Sequence, residues 1–179
     1  TYETNTESVK HAVGIANDLK IPLLYISTAG IFDGEKDVYD ESDKPKPLGH
    51  YGRSKYLGEV YVQENSNNHI ICRAGWMMGA GKLKDKKFIQ KLIKQLASGK
   101  KILHIVNDKL GTPTYTHDFA KNVKLLIEKD QQGLFNMVCG GLTGRCEVAE
   151  EMIELMGLRS SVKIEEVSSF EILAFVLIE

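Results

Sequence analysis

The hydrophobic and polar positions of the chain fall into two kinds of segment. Short apolar runs such as Ile21–Ile26 are typical of buried strands, whereas longer stretches with apolar residues three and four positions apart are typical of helices. The pattern predicts helices over residues 6–19, 51–65, 85–98, 117–129 and 146–156, and strands over residues 21–27, 69–73 and 133–138. This alternation indicates an α/β fold in which crossover helices join the strands of a doubly wound parallel sheet.

Composition and charge limit the kinds of molecule that the protein is expected to bind. The chain is 42% hydrophobic and 26% charged, and its net charge at pH 7 is -1. Apart from a short basic stretch at residues 82–87, no charge pattern is typical of a protein that binds nucleic acid. The most apolar run, residues 172–178, is far shorter than the roughly 18 residues that a membrane span requires. We therefore expect a cytoplasmic protein with neither nucleic acid nor membrane as a partner.

The cysteine pattern argues against disulfides and metal. Cys72, Cys139 and Cys146 are odd in number and lack the spacing of a metal-ligand set, and no Cys or carboxylate stands at ligand spacing from His117. We expect free thiols, as in a reducing compartment, and no metal site.

Candidate chemistry lies at the end of the first predicted strand and the start of the helix after it. Ser27 and Thr28 place hydroxyls at the carboxyl end of the strand, where open α/β sheets bind their ligands. Tyr51 and Lys55 are four residues apart and share one helix face. A phenol beside an ammonium group is a usable proton donor, which is the equipment for reducing a carbonyl. The alternative is an ordinary helix surface with a packed tyrosine and a solvated lysine.

Several motifs in a fixed order carry a family resemblance. They are Tyr25–Gly34 (YISTAGIFDG), Tyr39–Asp43, Pro47–Lys55 (PLGHYGRSK), Gly58-Glu59, Arg73–Trp76 (RAGW), Gly79, Phe88, Gly111–Thr114 (GTPT) and Asp118–Ala120. Over about residues 1 to 157, the chain resembles the extended short-chain dehydrogenase/reductases, in the branch of the dTDP-4-dehydrorhamnose reductases and their sugar-nucleotide-binding relatives. The resemblance implies reduction of a 4-keto nucleotide sugar with NADPH, or NADH, as the cofactor.

The resemblance also implies a role for each candidate residue. The catalytic residues would be Thr28, Tyr51 and Lys55. The cofactor would be bound by Ser27, Tyr51, Lys55, Gly75 and Trp76, and the substrate by Thr28, Trp76 and Thr114. Tyr51 would donate the proton, positioned by a hydrogen bond from Thr28, while Lys55 would hold the ribose of the cofactor. Asn5 would anchor the site, although it is equally a candidate helix cap.

Two charged residues have simpler structural interpretations. Arg73, at the end of a predicted strand, is expected to pair with a nearby carboxylate rather than with a phosphate. Asp118 is expected to cap the amino terminus of the helix that follows it. Trp76 has two alternative interpretations, because its ring could either pack in the core or contact a ligand.

The expected domain organisation follows from the resemblance. No G-x-G-x-x-G spacing occurs in the sequence, so we expect that roughly 80 further residues, with the first βαβαβ half of the Rossmann domain, precede Tyr2. Residues 1–179 would then form a single partial NAD(P)-binding domain. A smaller substrate-binding lobe would be drawn from about residues 75–115 and 139–179.

One departure from the family pattern keeps the substrate open. The rhamnose reductases typically have Thr-Asp-Tyr where this chain has Thr28-Ala29-Gly30, so a carboxylate and an aromatic ring are lost beside the expected site. Another nucleotide sugar is therefore possible. Two alternative functions also remain: a non-catalytic regulatory subunit that binds a dinucleotide, as the methionine adenosyltransferase beta subunit does, and a nucleotide-sugar epimerase or dehydratase.

A homodimer is a further expectation from the resemblance. Extended family members often pair through two helices from each copy, here residues 6–19 and 51–65. The apolar positions of the first of these helices, Val9, Ala12, Val13 and Ala16, could equally face the sheet.

Overall fold

The structure, a computed structural model, describes residues 1–79, 81 and 87–171. Its helices are α1 (Ser8–Leu19), α2 (His50–Asn65), α3 (Phe88–Ala97), α4 (Thr116–Glu128) and α5 (Arg145–Leu155). Its strands are β1 (Leu23–Thr28), β2 (His69–Ala74), β3 (Trp76–Met78), β4 (Ile102–Val106), β5 (Leu110–Gly111), β6 (Pro113–Tyr115), β7 (Gly133–Asn136), β8 (Thr143–Gly144) and β9 (Lys163–Val167). A π-helical segment, Glu3–Glu7, precedes α1, and a 3₁₀ turn, Ala29–Ile31, follows β1.

The chain divides into two compact units. The first consists of Thr1–Met77 and Thr114–Val138, and the second of Met78–Pro113 and Cys139–Glu179. The first unit holds a parallel sheet in the order β1-β2-β7, with Leu23 opposite His69 and Ile70 opposite Gly133. β2 is buried along nearly its whole length, as expected of a central strand in a sheet that is covered on both faces.

Helices cover both faces of this sheet. On one face, Val9 of α1 and Val62 of α2 pack with Tyr25 and Ile71 of the strands. On the other face, Phe119 and Val123 of α4 pack on Ile70, Cys72 and Ala74 of β2. The predicted α/β fold with a parallel sheet is therefore confirmed.

The second unit has its own small core. β4 and β9 are parallel, with Leu103 opposite Ile164, and β5 and β8 are antiparallel. The core is formed by α3, β4 and α5, through Leu92, Leu96, Leu103, Ile105, Cys146, Ala149 and Ile153.

The sequence pattern missed six strands, which form the pairs β3 with β6, β4 with β9, and β5 with β8. Each has only two to five residues, and its partner lies far along the chain, so local periodicity carries little signal. The helix predicted from residue 117 begins at Thr116, so Asp118 lies inside the first turn and the predicted cap is wrong. The first two residues of the helix predicted over 85–98, most of the basic stretch at 82–87 and the apolar run at 172–178 lie outside the described residues.

All three cysteines are free thiols, as predicted, and Cys72 and Cys146 are buried. Burial raises the pKa of the Cys72 thiol to about 11. Within residues 1–79, 81 and 87–171, no helix is long and apolar enough to cross a membrane. The same ranges contain no cluster of three His, Cys, Asp or Glu side chains that could hold a metal ion.

Candidate active site

Two residues with hydroxyl groups, Ser27 and Thr28, lie at the carboxyl end of β1. Thr28 ends the strand, and its Oγ1 accepts a hydrogen bond of 3.1 Å from the backbone N–H of Gly30, the middle residue of the 3₁₀ turn. Because side chains alternate along a strand, Ser27 points to the opposite face. Its Oγ is buried and has no hydrogen-bond partner among the described residues.

The first turn of α2 lies directly against the turn that follows Thr28. A Cβ atom at Gly52 would come within 2.1 Å of the Gly30 carbonyl oxygen, so only glycine permits this approach. Tyr51 is the neighbouring residue on the helix, and 57% of its surface is exposed. The close contact between the two backbones thus presents Tyr51 beside the end of β1.

A short chain of hydrogen bonds fixes this end of α2. The side-chain amide of Asn5 donates to Ser54 Oγ at 3.0 Å, and Ser54 Oγ donates to the Tyr51 carbonyl at 2.8 Å. Thr6 Oγ1 donates to the Ser54 carbonyl at 2.9 Å. Ser54 is fully buried, so these bonds satisfy its hydroxyl inside the protein. Asn5 therefore ties the segment before α1 to the turn that carries Tyr51.

Lys55 lies one helical turn after Tyr51 in α2 and is half-buried. Its Nζ lies 4.2 Å from the centroid of the Tyr25 ring. Burial lowers the pKa of Lys55, and the negative charge of Glu59 acts in the opposite direction. Within the described part of the chain, neither Lys55 Nζ nor the Tyr51 hydroxyl has a hydrogen-bond partner, so both groups are available to a ligand.

Arg73 is used structurally, as predicted. Its Nε donates to Glu59 Oε1 at 3.1 Å and to Oε2 at 3.2 Å, its Nη2 also contacts Oε1, and both side chains are buried. The guanidinium carbon also lies 5.2 Å from the centroid of the Phe32 ring. The ion pair fixes α2 to β2 on the face that carries Tyr25.

Three predicted ligand-binding residues lie around the end of β2. The backbone N–H of Gly75 donates to Thr114 Oγ1 at 3.0 Å, so the structure brings these two residues together. Thr114 is 2% exposed, and Trp76 is half-buried at the start of β3.

The hydrogen bond expected from Thr28 to the proton donor is not made in the structure. Thr28 Oγ1 is engaged by the 3₁₀ turn, and the Tyr51 hydroxyl has no partner among the described residues. The hydroxyl hydrogen of Thr28 is not used by that contact, because Oγ1 acts there only as an acceptor. Thr28 can therefore still donate to a ligand.

Sequence reasoning missed the residues that hold the site together. The sequence places Tyr25 in an apolar run and a motif, and Gly52, Ser54 and Gly58 in motifs, but it assigns none of the four a role. The available signal was the presence of two glycines, Gly52 and Gly58, inside a predicted helix. Glycine in a helix interior is typical of a position where another backbone approaches closely.

A parallel sheet covered by helices on both faces, with Thr28, Tyr51 and Lys55 at its carboxyl end, defines a Rossmann-like protein of the extended short-chain dehydrogenase/reductase class. The family described as the RmlD substrate binding domain matches residues 1–174. The chain belongs to this family.

Individual relatives agree with the family assignment. A dTDP-4-dehydrorhamnose reductase of Sinorhizobium fredii is 29% identical over 95% of this chain and 60% of its own length. The crystal structure of a dTDP-4-dehydrorhamnose reductase from Yersinia enterocolitica is 34% identical, with a TM-score of 0.85 over 92% of this chain and 57% of that one. The Bacillus anthracis enzyme in complex with NADP is 27% identical, with a TM-score of 0.87 over 94% of this chain and 58% of that one. The chain thus spans 60% or less of the length of each of these relatives.

Proposed function

We propose that this chain carries the proton-donating part of an NAD(P)H-dependent reductase that acts on a 4-keto nucleotide sugar of the dTDP-4-dehydrorhamnose type. The observation that carries the proposal is the pair of unpartnered groups on α2, the Tyr51 hydroxyl and Lys55 Nζ, beside the end of β1. The relatives named as dTDP-4-dehydrorhamnose reductases support the choice of reaction.

The chemistry follows from the three side chains. As a ketone is reduced, its oxygen gathers negative charge and must receive a proton. Tyr51 donates that proton, and the hydroxyl of Thr28 donates a hydrogen bond to the same oxygen. Lys55 stabilises the phenolate that Tyr51 becomes, because opposite charges favour the ionised form of an acid. The exposure of Tyr51 allows the sugar to approach it.

The residues present fit the nicotinamide end of a dinucleotide. Ser27 Oγ is buried at this edge of the sheet without a partner, as expected of a polar group that awaits a ligand. When bound, NADPH would supply the hydride, which is chemistry that no protein side chain offers. Lys55 would donate to the ribose hydroxyls, and Ser27, Tyr51, Gly75 and Trp76 would surround the nicotinamide end. The NADP complex of the Bacillus anthracis relative supports this choice of cofactor.

The choice of sugar would depend on the segments that the resemblance assigns to substrate binding. Residues of 75–115 and 139–179 would bind the nucleotide, with Trp76 and Thr114 nearest to the sugar. The Ala29-Gly30 pair lies beside Thr28, and a Cβ at Gly30 would meet only Thr28, at an ordinary contact distance of 3.4 Å. A larger side chain is thus sterically allowed at Gly30. The loss of the carboxylate and the aromatic ring that the rhamnose reductases have here would change which sugar fits, while the proton donor Tyr51 stays in place.

We further propose a cytoplasmic homodimer. The free thiols support a reducing compartment. Val9, Val13 and Ala16 face the core, so a pairing surface on α1 would use its exposed residues Ile15 and Leu19. Sedimentation of the full-length protein tests the dimer, and a monomer at assay concentrations would contradict it.

The test of the function is conversion of dTDP-4-dehydrorhamnose by the full-length protein. We expect one NADPH to be oxidised for each sugar that is reduced at C4. Thr28→Val, which keeps the shape of the side chain and removes its hydroxyl, should lower kcat about tenfold or more, because it removes one donor to the developing oxyanion. NADPH binding without turnover of this or another 4-keto nucleotide sugar would favour a regulatory subunit. NAD retained through purification would favour an epimerase or dehydratase.

A further inference from the structure

Tyr25 is a buried residue to which the proposed mechanism gives no role. It lies in the middle of β1, on the face of the sheet that α1 and α2 cover, and is 7% exposed. A tyrosine in such a core position normally needs a partner for its hydroxyl. Its two ends, ring and hydroxyl, both contact the same residue of α2, Lys55.

The ring of Tyr25 faces the ammonium group of Lys55. Nζ lies 4.2 Å from the ring centroid, well inside the roughly 6 Å within which an aromatic face attracts a cation. Burial opposes the charge of Lys55, and Nζ makes no hydrogen bond within the described residues. The aromatic face, together with the negative charge of Glu59, therefore compensates the ammonium for the water it has lost.

The hydroxyl of Tyr25 holds the backbone of the same residue. It lies 2.9 Å from the Lys55 carbonyl and 3.2 Å from the Asn5 carbonyl. Burial, with the charge of Glu59 and of an ionised Tyr51, raises the pKa of Tyr25 well above its usual range, so the phenol stays neutral and remains a donor.

Gly58 makes this arrangement possible. A Cβ at this position would come within 2.5 Å of the Tyr25 hydroxyl oxygen and 2.3 Å of the Asn5 carbonyl oxygen. Gly58 lies three residues after Lys55, on the same face of α2. The helix is thus free of bulk where the phenol must reach the backbone.

We propose that Tyr25 is a positioning residue. Its ring holds the Lys55 ammonium in place, a contact that we call the seat of Lys55, and its hydroxyl fixes the Lys55 backbone. The inference rests on the proposed function, in which Lys55 stabilises the phenolate of Tyr51 and binds the ribose. Without the seat, the flexible lysine side chain samples other rotamers, and its charge is no longer held beside Tyr51.

The seat is tested first without any turnover. In full-length protein labelled with carbon-13 lysine, the Hε–Cε resonance of Lys55, assigned with Lys55→Arg, should lie upfield of the other lysines because it sits over a ring. Tyr25→Phe should keep this shift, and Tyr25→Leu should abolish it. An unshifted Lys55 resonance in the parent protein would overturn the proposal even if Tyr25→Leu fails to fold.

Turnover then tests the consequence of the seat. Tyr25→Leu should lower kcat/KM for reduction about tenfold, and Tyr25→Phe should retain most of it. The matched control is Tyr61→Leu. The Tyr61 ring packs against the same core as Tyr25, but the ammonium near it, 5.9 Å from its centroid, is that of Lys10. Equal losses in Tyr25→Leu and Tyr61→Leu would reduce Tyr25 to a core residue and overturn the proposal. If the parent protein reduces no sugar, the proposed function fails, whereas the Lys55 resonance still decides whether the seat exists.

Discussion

Helices α2 and α4 cover opposite faces of the same sheet but are held to it in different ways. The buried residues of α4 are Phe119 and Val123, which pack on the apolar side chains of β2. The buried residues of α2 are Gly52, Ser54, Gly58, Glu59 and Val62, only one of which is a large apolar side chain. Burial of apolar surface is non-directional, whereas backbone contacts, hydrogen bonds and an ion pair fix both distance and rotation. The helix that carries Tyr51 and Lys55 is the one held by directional contacts.

The largest effect should come from breaking the ion pair beneath α2. Glu59→Ala leaves Arg73 buried and uncompensated, so we expect the free energy of unfolding in urea to fall by about 3–5 kcal/mol. The double variant Glu59→Leu with Arg73→Met removes both charges and should recover much of that loss. A double variant as unstable as Glu59→Ala would show that the loss comes from packing rather than from the unpaired charge.

The close approach of α2 should be the next most sensitive feature. Gly58→Ala places a Cβ against the Asn5 carbonyl and the Tyr25 hydroxyl, and should lower the free energy of unfolding by about 2–3 kcal/mol. Gly14→Ala in α1 is the matched control, because a Cβ there meets nothing within 4 Å. Chemical denaturation of this control should show a gain of up to about 1 kcal/mol from helix propensity. A tolerated Gly58→Ala would mean that the two backbones do not meet as described.

The opposite helix should affect stability without affecting chemistry. Val123→Ala in α4 removes buried methyl groups and should lower the free energy of unfolding by about 1–2 kcal/mol. Because α4 supplies none of the proposed catalytic residues, kcat/KM for the folded variant should stay at the parent value. A loss of turnover larger than the loss of folded protein would contradict the division of labour between α2 and α4.

The effect confined to alkaline pH comes from Cys72, on the face of the sheet that α4 covers. Burial raises the pKa of Cys72 in the folded protein to about 11, from the value of 9.0 for an unfolded thiol. Its folded pKa is raised, so its contribution to stability is complete below pH 9.0 and is lost as the pH rises towards 11. Cys72→Ala should therefore flatten this alkaline slope in urea unfolding. A slope that does not change would show that other groups cause it.

The two helices also explain how far the sequence could predict the molecule. The strands Leu23–Thr28 and His69–Ala74 were predictable because each is a local run of apolar residues, and α1 was predictable because it buries the stripe Val9, Val13 and Ala16. The seat of Lys55 was not, because it depends on contacts between Asn5, Tyr25 and Gly58, which are far apart in sequence. The strand Lys163–Val167 was missed for a similar reason, since it is stabilised by Ile102–Val106 far back along the chain.

The most direct measurement compares two tyrosines on the same helix. In full-length protein, Tyr51→Phe removes the proposed proton donor, and Tyr56→Phe removes a hydroxyl from α2 that has no part in the proposed chemistry. With NADPH and dTDP-4-dehydrorhamnose, Tyr51→Phe should lower kcat about 100-fold or more at an unchanged free energy of unfolding, while Tyr56→Phe keeps the parent kcat. Equal turnover by both variants, in a protein that does reduce the sugar, would contradict the assignment of Tyr51 as the acid.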